Sequence, residues 1–335
     1  MILLLGFALG AGLPGFAQAA AAAPALRPED TPAIEDPDLA ESGEERPVET
    51  LRPVANWLEA QIELHRRGFS CGSIDGVRGA QTAAALRAFQ RSAYLEETGE
   101  LGPVTKENLL LTAPALTTHT FTAEELATLN PLPDTWLGKS QQASLPYATA
   151  LEMAAERYRA NPKLLRSLNP EVDWDAVLPG VVIQVPAVGR LRLALRAAQM
   201  HVRLADRVLR VTDAAGRTVA HFPVSIARNV EKRPVGELHV TVVIPNPDYT
   251  FDPAVFPESA EARELGRRLI VPPGPNNPVG LAWIGLDRPG YGIHGTPDPE
   301  KVGRTESHGC FRLANWDALT LLDLAWVGLP VLVEP

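Results

Sequence analysis

The segment HGTPDPEKVGRTESHGCFRL, residues 294–313, contains two histidines, a serine and one of only two cysteines in the 335-residue chain. A cysteine attacks carbonyl carbon as its thiolate, so a nucleophilic cysteine requires a base or a cation nearby. His308 precedes Cys310 by two residues, a spacing that directs both side chains to one face of an extended chain. His294 can return to the same thiol across a twelve-residue loop, 295–306. The segment therefore predicts a cysteine nucleophile with one of the two histidines as its base.

The backbone around the cysteine also suits acyl transfer. Gly309 permits close approach of a substrate, and the N–H groups of Gly309 and Cys310 are predicted to form an oxyanion hole. A zinc site would use the same side-chain types, but the H-x-C spacing is tighter than the usual ligand spacings, and no metal is predicted. A papain-like protease is excluded, because there the cysteine precedes the histidine. A disulfide between Cys71 and Cys310 is the structural alternative, whereas two unpaired thiols are the prediction.

The sequence around this segment, residues 195–335, predicts a mainly-β domain, here called the C-terminal module. Apolar residues recur with period two in the segments MHVRL, RVLRV, VAHFPVSI and LHVTVVI, and DAAGR supplies a hairpin turn. After the cysteine, Asn315 is predicted to cap a helix that runs through Ala318 and Leu321, and VLV predicts a final strand.

Residues 51–112, the first module, predict a small helical unit. Apolar residues recur at helical spacing on both sides of a turn at Asp75-Gly76. The order G-F, I-D-G-x-x-G, T-x-x-A-L-x-x-F-Q resembles the peptidoglycan-binding domain of many cell-wall enzymes, which implies glycan binding. The residues that carry the resemblance are Gly68, Ile74, Asp75, Gly76, Gly79, Thr82, Leu86, Phe89 and Gln90. The alternative is that these residues only build a three-helix core.

Residues 113–145 show no sustained period and predict a connector. Residues 146–187, the second module, predict two helices, the latter ended by Asn169-Pro170, and a strand from Val181 to Val185. The pattern L-x-x-L-N-P followed by L-P-G-x-x-I-x-V-P resembles a degenerate LysM domain, a βααβ glycan-binding unit. The usual opening G-D-T is absent, so a packing role is the alternative.

The N-terminal 50 residues predict export rather than a folded domain. Residues 1–23 contain an apolar run and an A-x-A site, which is typical of a secretory signal peptide; a membrane anchor is the alternative. Residues 24–50 carry nine acidic residues against two arginines, so most of the net charge of −9 lies in a predicted disordered linker. The remainder is nearly neutral and lacks the basic patch that nucleic-acid binding requires. The predicted location is secreted, either periplasmic or associated with the cell wall, with no membrane span after cleavage.

The C-terminal module resembles the YkuD-type L,D-transpeptidases. The resemblance rests on H-G-T, the loop, S-H-G-C-F-R-L, the following N-W-D and an upstream G-P-x-N-P-V-G. It implies that Cys310 is the nucleophile, that His294 is the general base and that the Gly295 carbonyl orients His294. Ser307, His308 and Gly309 complete the motif.

The same resemblance implies a substrate-binding role for Arg312, whose planar guanidinium suits carboxylates; a structural salt bridge is the alternative. Tyr291 and Thr296 in the flanking YGIHGT are expected to contact substrate as well.

The resemblance implies a multidomain α+β enzyme that acts on peptidoglycan stem peptides without a cofactor. Cys310 would form a thioester with a donor tetrapeptide, release D-alanine and pass the acyl group to an amine of a neighbouring stem or of a protein. Attack by water would instead trim the stem, and a catalytically silent wall-binding protein is the alternative from another class. The modular pattern also predicts that residues 191–335 act on small muropeptides without the preceding modules.

Overall fold

The computed structural model describes residues 51–189, 191, 193, 196–255, 259–304 and 309–335. The predicted signal peptide and acidic linker lie outside the described residues, as do Ser307 and His308. All described residues belong to one compact unit.

The first module is helical, as predicted. Its elements are β1 (Arg52–Pro53), α1 (Trp57–Arg66), α2 (Ala80–Ser92), α3 (Pro103–Asn108) and β2 (Leu110–Leu111). Helix α1 begins where the Asn56 side chain accepts a hydrogen bond from the Glu59 N–H, and α3 begins with Pro103, which has no N–H to satisfy. The apolar faces of α1 and α2 pack around Leu64, Leu86 and other buried side chains.

Polar residues of the glycan-binding pattern hold this module together. The Gln61 side chain, which is buried in α1, donates to Asp75 Oδ1 and Thr82 Oγ1 and accepts from the Gly76 N–H. The Gln90 side chain donates to Thr105 Oγ1. These polar members of the pattern therefore have structural partners inside the module.

The segment 113–145, predicted as a connector, contains regular elements that its sequence did not indicate. They are β3 (Leu116–Thr120), α4 (Ala123–Ala127) and α5 (Trp136–Ser140). Strand β3 pairs antiparallel with the strand that closes the second module. The first strand of that module's sheet therefore comes from the preceding segment. The strand is short and half-exposed, so it lacks a long apolar period that the sequence could display.

The second module has the predicted helices, α6 (Ala150–Arg157) and α7 (Pro162–Leu168), and a closing strand, β4 (Val182–Pro186). Asn169 ends α7, and its side chain bonds the Leu165 carbonyl and both backbone groups of Gln184. One asparagine thereby joins the helix end to the closing strand.

The C-terminal module is mainly β, as predicted. Its elements are β5 (Gln199–Arg203), β6 (Val208–Thr212), β7 (Thr218–Pro223), β8 (Gly236–Pro245), β9 (Tyr249–Phe251), α8 (Ala260–Leu265), β10 (Leu269–Val271), β11 (Ala282–Leu286), β12 (Gly292–His294), β13 (Phe311–Arg312), α9 (Asn315–Leu324) and β14 (Pro330–Glu334). Within the described residues, eight strands form one sheet in the order β13-β12-β11-β8-β14-β5-β6-β7, while β9 and β10 form a separate hairpin. Helix α9 covers one face of this sheet, and the core lies between them.

The prediction that Asn315 caps α9 is wrong. Asn315 is the first helical residue and Ala314 occupies the cap position. The Asn315 side chain turns instead to Glu156, to the Pro275 carbonyl and to the Leu281 N–H. The side chain that the local pattern assigned to the helix end therefore forms tertiary hydrogen bonds instead.

The first module docks on the edge of the large sheet. Phe69 forms a parallel bridge with His221 of β7: the Ser70 N–H donates to the His221 carbonyl, and the His221 N–H donates to the Gly68 carbonyl, each at 2.9 Å. Beyond the end of β7, Ser225 exchanges two backbone hydrogen bonds with Arg312 of β13, so the sheet curls back on itself. Ser70 also donates to buried Asp317 of α9 at 2.8 Å.

The segment before the second module supports the β9–β10 hairpin. The Trp136 ring stacks on Phe251 with ring centroids 4.4 Å apart, and the Leu137 N–H donates to Glu261 at 3.0 Å. Leu145 is fully buried against the same hairpin. These contacts join residues 191–335 to the preceding segment, and activity of residues 191–335 alone on small muropeptides stays a prediction. None of the helices in the described part of the chain has the length and apolar character needed to span a bilayer.

Candidate active site

The predicted base lies on a strand whose parallel neighbour begins directly after the predicted nucleophile. Strands β12 and β13 pair in parallel, with Ile293 opposite Phe311 and His294 opposite Arg312. Arg312 therefore lies on the face that carries His294, and Cys310 directly precedes β13 at a bend. Trp283 of β11 lies opposite His294 on the other side, and the two rings stack with centroids 5.6 Å apart.

His294 is held as a neutral imidazole with a defined tautomer. Its Nδ1 lies 2.6 Å from the Gly295 carbonyl oxygen, which can only accept, so Nδ1 carries the proton and Nε2 is the basic nitrogen. The ring is 5 % exposed. Burial lowers the pKa of His294 to about 4, with the Gly295 bond opposing the shift and the Arg312 charge adding to it.

Cys310 is partly buried beside the turn that precedes β12. Its Sγ lies 3.5 Å from the Gly290 carbonyl oxygen. Burial raises the pKa of the thiol, while a hydrogen bond from the Gly292 backbone and the Arg312 charge oppose that rise. The lowered pKa of His294 and the raised pKa of Cys310 both favour an imidazole and a thiol over an imidazolium and a thiolate. The two cysteines do not form a disulfide, as predicted.

We expect the rate of Cys310 alkylation by iodoacetamide to titrate with an apparent pKa above the ordinary thiol value of about 8.5. Burial disfavours the thiolate, and no imidazolium is available at neutral pH to offset it. The measurement is the labelling rate against pH, with the Cys310 peptide quantified by mass spectrometry.

The matched variants for this titration are Arg312→Gln and Arg312→Lys. Loss of the charge should raise the apparent pKa of Cys310 further, whereas lysine should keep it near the wild-type value, because Arg312 favours the thiolate. An apparent pKa below that of an ordinary thiol would instead indicate an imidazolium–thiolate pair.

Arg312 presents a cation at this face. Its Nε is buried and has no hydrogen-bond partner in the described part of the chain, although its backbone is fixed by Ser225. Among the described residues, no ion pair of Arg312 is present, and its substrate-binding role stays a prediction.

The other predicted contact residues have different surroundings. The Arg288 guanidinium lies over the Tyr291 ring, 4.6 Å from the ring centroid, and the edge of that ring faces Gly309. Thr296 is 6 % exposed, and its hydroxyl accepts from the Asp298 N–H, so it shapes the loop rather than an open surface. Ser307 and His308 lie outside the described residues.

The loop after His294 is held by both N-terminal modules. The Glu300 carboxylate accepts from Ser73 of the first module and from Asn161 of the second, each at 2.5 Å. The Gln81 side chain donates to the Val302 carbonyl at 2.8 Å. These contacts join residues more than 130 positions apart, so no local sequence signal indicated them.

Sequence reasoning also missed two aromatic residues at the site. Trp283 lies in an apolar strand, and its indole occupies the space that a side chain at position 292 would need. Tyr249 of β9 lies close enough to Cys310 and Arg312 for their charges to affect its pKa, which burial raises. Within the described residues, no group of three or more His, Cys, Asp or Glu side chains is arranged to hold a metal ion.

Comparison with known proteins matches two parts of the chain to family models. An L,D-transpeptidase catalytic domain model matches residues 198–333, and a peptidoglycan-binding domain model matches residues 54–109. No family model for a LysM domain is among these matches, so the LysM-like resemblance of the second module stays a prediction.

Similar proteins include two from Escherichia coli. The protein named probable L,D-transpeptidase ErfK/SrfK is 30 % identical over 216 residues, which cover 62 % of this chain and 67 % of that protein. The protein named probable L,D-transpeptidase YbiS is 27 % identical over 238 residues, 66 % of this chain and 73 % of that protein. Among solved structures, an L,D-transpeptidase from Xylanimonas cellulosilytica is 16 % identical with a TM-score of 0.36, covering 87 % of this chain and 100 % of that one.

Proposed function

The chain belongs to the L,D-transpeptidase family, and from that premise we propose that Cys310 is the nucleophile of a two-step acyl transfer on peptidoglycan. The thiol attacks the carbonyl carbon at the L-centre of diaminopimelate in a donor tetrapeptide stem. The amide bond breaks, D-alanine leaves, and a thioester remains on Cys310. An amine of a neighbouring stem then attacks the thioester, which forms the 3→3 cross-link and returns the thiol.

His294 moves the protons in both steps. The Gly295 carbonyl fixes the Nδ1–H tautomer, so Nε2 accepts the Cys310 proton during attack and then donates it to the nitrogen of the departing D-alanine. Because burial shifts the pKa values of both groups toward their neutral forms, we propose that proton transfer accompanies attack rather than preceding it. In the second step Nε2 takes a proton from the acceptor amine and returns it to the leaving thiol.

The remaining predicted residues bind substrate or stabilise charge. The N–H groups of Gly309 and Cys310 are proposed to donate to the oxyanion, and Arg312 to pair with a carboxylate of the stem. Ser307 and His308 are proposed to shape the loop beside the thiol. The Arg312 Nε, buried without a partner among the described residues, supports a ligand at that position.

The first module is proposed to hold the enzyme on its polymeric substrate. Attachment through a second site raises the local concentration of stems at Cys310. Together with the predicted signal peptide at 1–23 and acidic linker at 24–50, this supports an exported enzyme of the periplasm or the cell wall.

The observation that carries the proposal is the short contact between His294 Nδ1 and the Gly295 carbonyl, on a strand whose parallel neighbour β13 begins directly after Cys310. The test is incubation of the purified full chain with disaccharide tetrapeptides, followed by mass spectrometry. We expect D-alanine release together with 3→3 dimers. Tripeptides without dimers would identify the L,D-carboxypeptidase alternative, and neither D-alanine release nor a carbapenem adduct on Cys310 would identify a silent wall-binding protein.

A further inference from the structure

Glu156 lies where the second module meets the C-terminal module. It belongs to α6 and is 8 % exposed. Its two carboxyl oxygens accept hydrogen bonds from the Asn315 side-chain amide, at 2.9 Å and 3.1 Å, and Oε1 also accepts from the Tyr147 hydroxyl at 3.1 Å. No Lys, Arg or His of the described residues forms an ion pair with it. The contact to Asn315 spans 159 positions of sequence.

The Asn315 amide in turn packs against the backbone next to the candidate catalytic residues. Its Oδ1 accepts from the Leu281 N–H at 3.1 Å, and its Nδ2 also donates to the Pro275 carbonyl at 3.0 Å. A Cβ built on Gly295 or on Gly280 would collide with Oδ1. The amide therefore packs directly against the peptide whose carbonyl orients His294.

We propose that Glu156 is a positioning residue for His294, and that the second module thereby contributes to the catalytic site. An asparagine amide presents a donor on one side and an acceptor on the other, so the direction in which it points depends on its partners. The carboxyl group of Glu156 accepts from Nδ2, which leaves Oδ1 to accept from Leu281 and to pack on Gly295. Without an acceptor at position 156, the buried Nδ2 keeps only the Pro275 carbonyl, so the amide is held by fewer bonds and can shift.

The burial of Glu156 suits this role over a wide pH range. Burial raises the pKa of Glu156 to about 8, although the bonds from Asn315 and Tyr147 oppose the rise. Both the protonated and the ionised carboxyl group keep an acceptor oxygen for Asn315. A glutamine at this position also keeps one acceptor oxygen, whereas methionine and alanine keep none.

The test compares Glu156→Met, which removes the acceptor and keeps the volume, with Glu156→Gln, which keeps one acceptor. It uses the full chain and rests on the proposed function for its kinetic readout. We expect Glu156→Met to lower kcat by about 10- to 100-fold, as small misplacements of catalytic groups do, with KM changed less than kcat. We expect Glu156→Gln to recover most of the lost kcat. If Glu156→Met fails to fold, Glu156→Ala is used instead, because water can fill the cavity that this substitution leaves.

The matched control is Ser70→Ala. It removes another buried hydrogen bond between modules, to Asp317 two residues along the same helix, and has no contact with Asn315. We expect it to lower the thermal midpoint and to leave kcat near the wild-type value. If Ser70→Ala and Glu156→Met lower kcat equally, Glu156 acts only through module docking and the proposal is wrong.

A second readout does not depend on transpeptidation. Imidazole ¹⁵N spectra, with the His294 signal assigned by its loss in His294→Gln, report which ring nitrogen carries the proton. The wild type and Glu156→Gln should show the Nδ1–H tautomer, and Glu156→Met should show a mixture. An unchanged tautomer in Glu156→Met would overturn the positioning role, whether or not the wild type is active. An inactive wild type would overturn only the proposed function.

Discussion

Cys310→Ser is expected to abolish both transpeptidation and acylation by a carbapenem. Serine preserves the shape of the site, but His294 cannot readily remove a hydroxyl proton, whose pKa is far above that of a thiol. Loss of a catalytic nucleophile in other acyl-transfer enzymes costs about 10⁶-fold in kcat, so we expect activity below detection. The measurements are 3→3 dimer formation from tetrapeptides and the mass of the protein after carbapenem treatment.

The matched control is the other cysteine. Cys71 is 3 % exposed in the core of the first module, where burial raises the pKa of its thiol. Cys71→Ala should retain transpeptidation and carbapenem acylation even if it lowers stability. Cross-links formed by Cys310→Ser, or activity lost with Cys71→Ala at a temperature where the variant is folded, would contradict the assignment of the nucleophile.

His294→Ala is expected to lower kcat by about two to four orders of magnitude, the usual cost of removing a general base. His294 has its tautomer fixed by Gly295 and its ring stacked on Trp283, so Nε2 is already directed for proton transfer. In the wild type, the acid limb of kcat/KM should fall near pH 4, because burial lowers the pKa of His294 to about 4 and the base works only when neutral. The measurements are the pH profile of kcat/KM and the turnover of the variant.

The matched variant for this prediction is His308→Ala. A residue that only shapes the loop should cost less than the general base, so His308→Ala should retain more turnover than His294→Ala. A larger loss in His308→Ala would move the base to His308, and an acid limb near pH 6.5 would show that His294 is not buried as described.

The sequence predicted those parts of the fold that depend on local pattern. The period-two segments became strands β5 to β8, and the helical spacing became α1, α2, α6 and α7. It missed β3, because a five-residue, half-exposed strand leaves no long apolar period. It also misassigned Asn315, because cap preference is local whereas the hydrogen bonds that hold this side chain come from residues up to 159 positions away.

The candidate site was predictable as a set of residues but not as an electrostatic environment. The spacing of His294 and Cys310 indicated their proximity, but a low thiol pKa also requires a charged imidazole. Burial of His294 keeps the ring neutral, and sequence spacing carries no information on burial. The independence of residues 191–335 was likewise inferred from linear order, whereas Glu300 and Asp317 receive hydrogen bonds from the first module.

The docking of Phe69 on β7 also bears on how the chain avoids self-association. An open sheet edge presents unpaired N–H and C=O groups that can recruit a strand from another molecule. In this fold His221 of β7 pairs with the first module, and the backbone of Arg312 at the opposite edge pairs with Ser225. Detachment of the first module would uncover the β7 edge at His221. Partial unfolding at this junction, rather than in the sheet itself, would then be the step that starts aggregation.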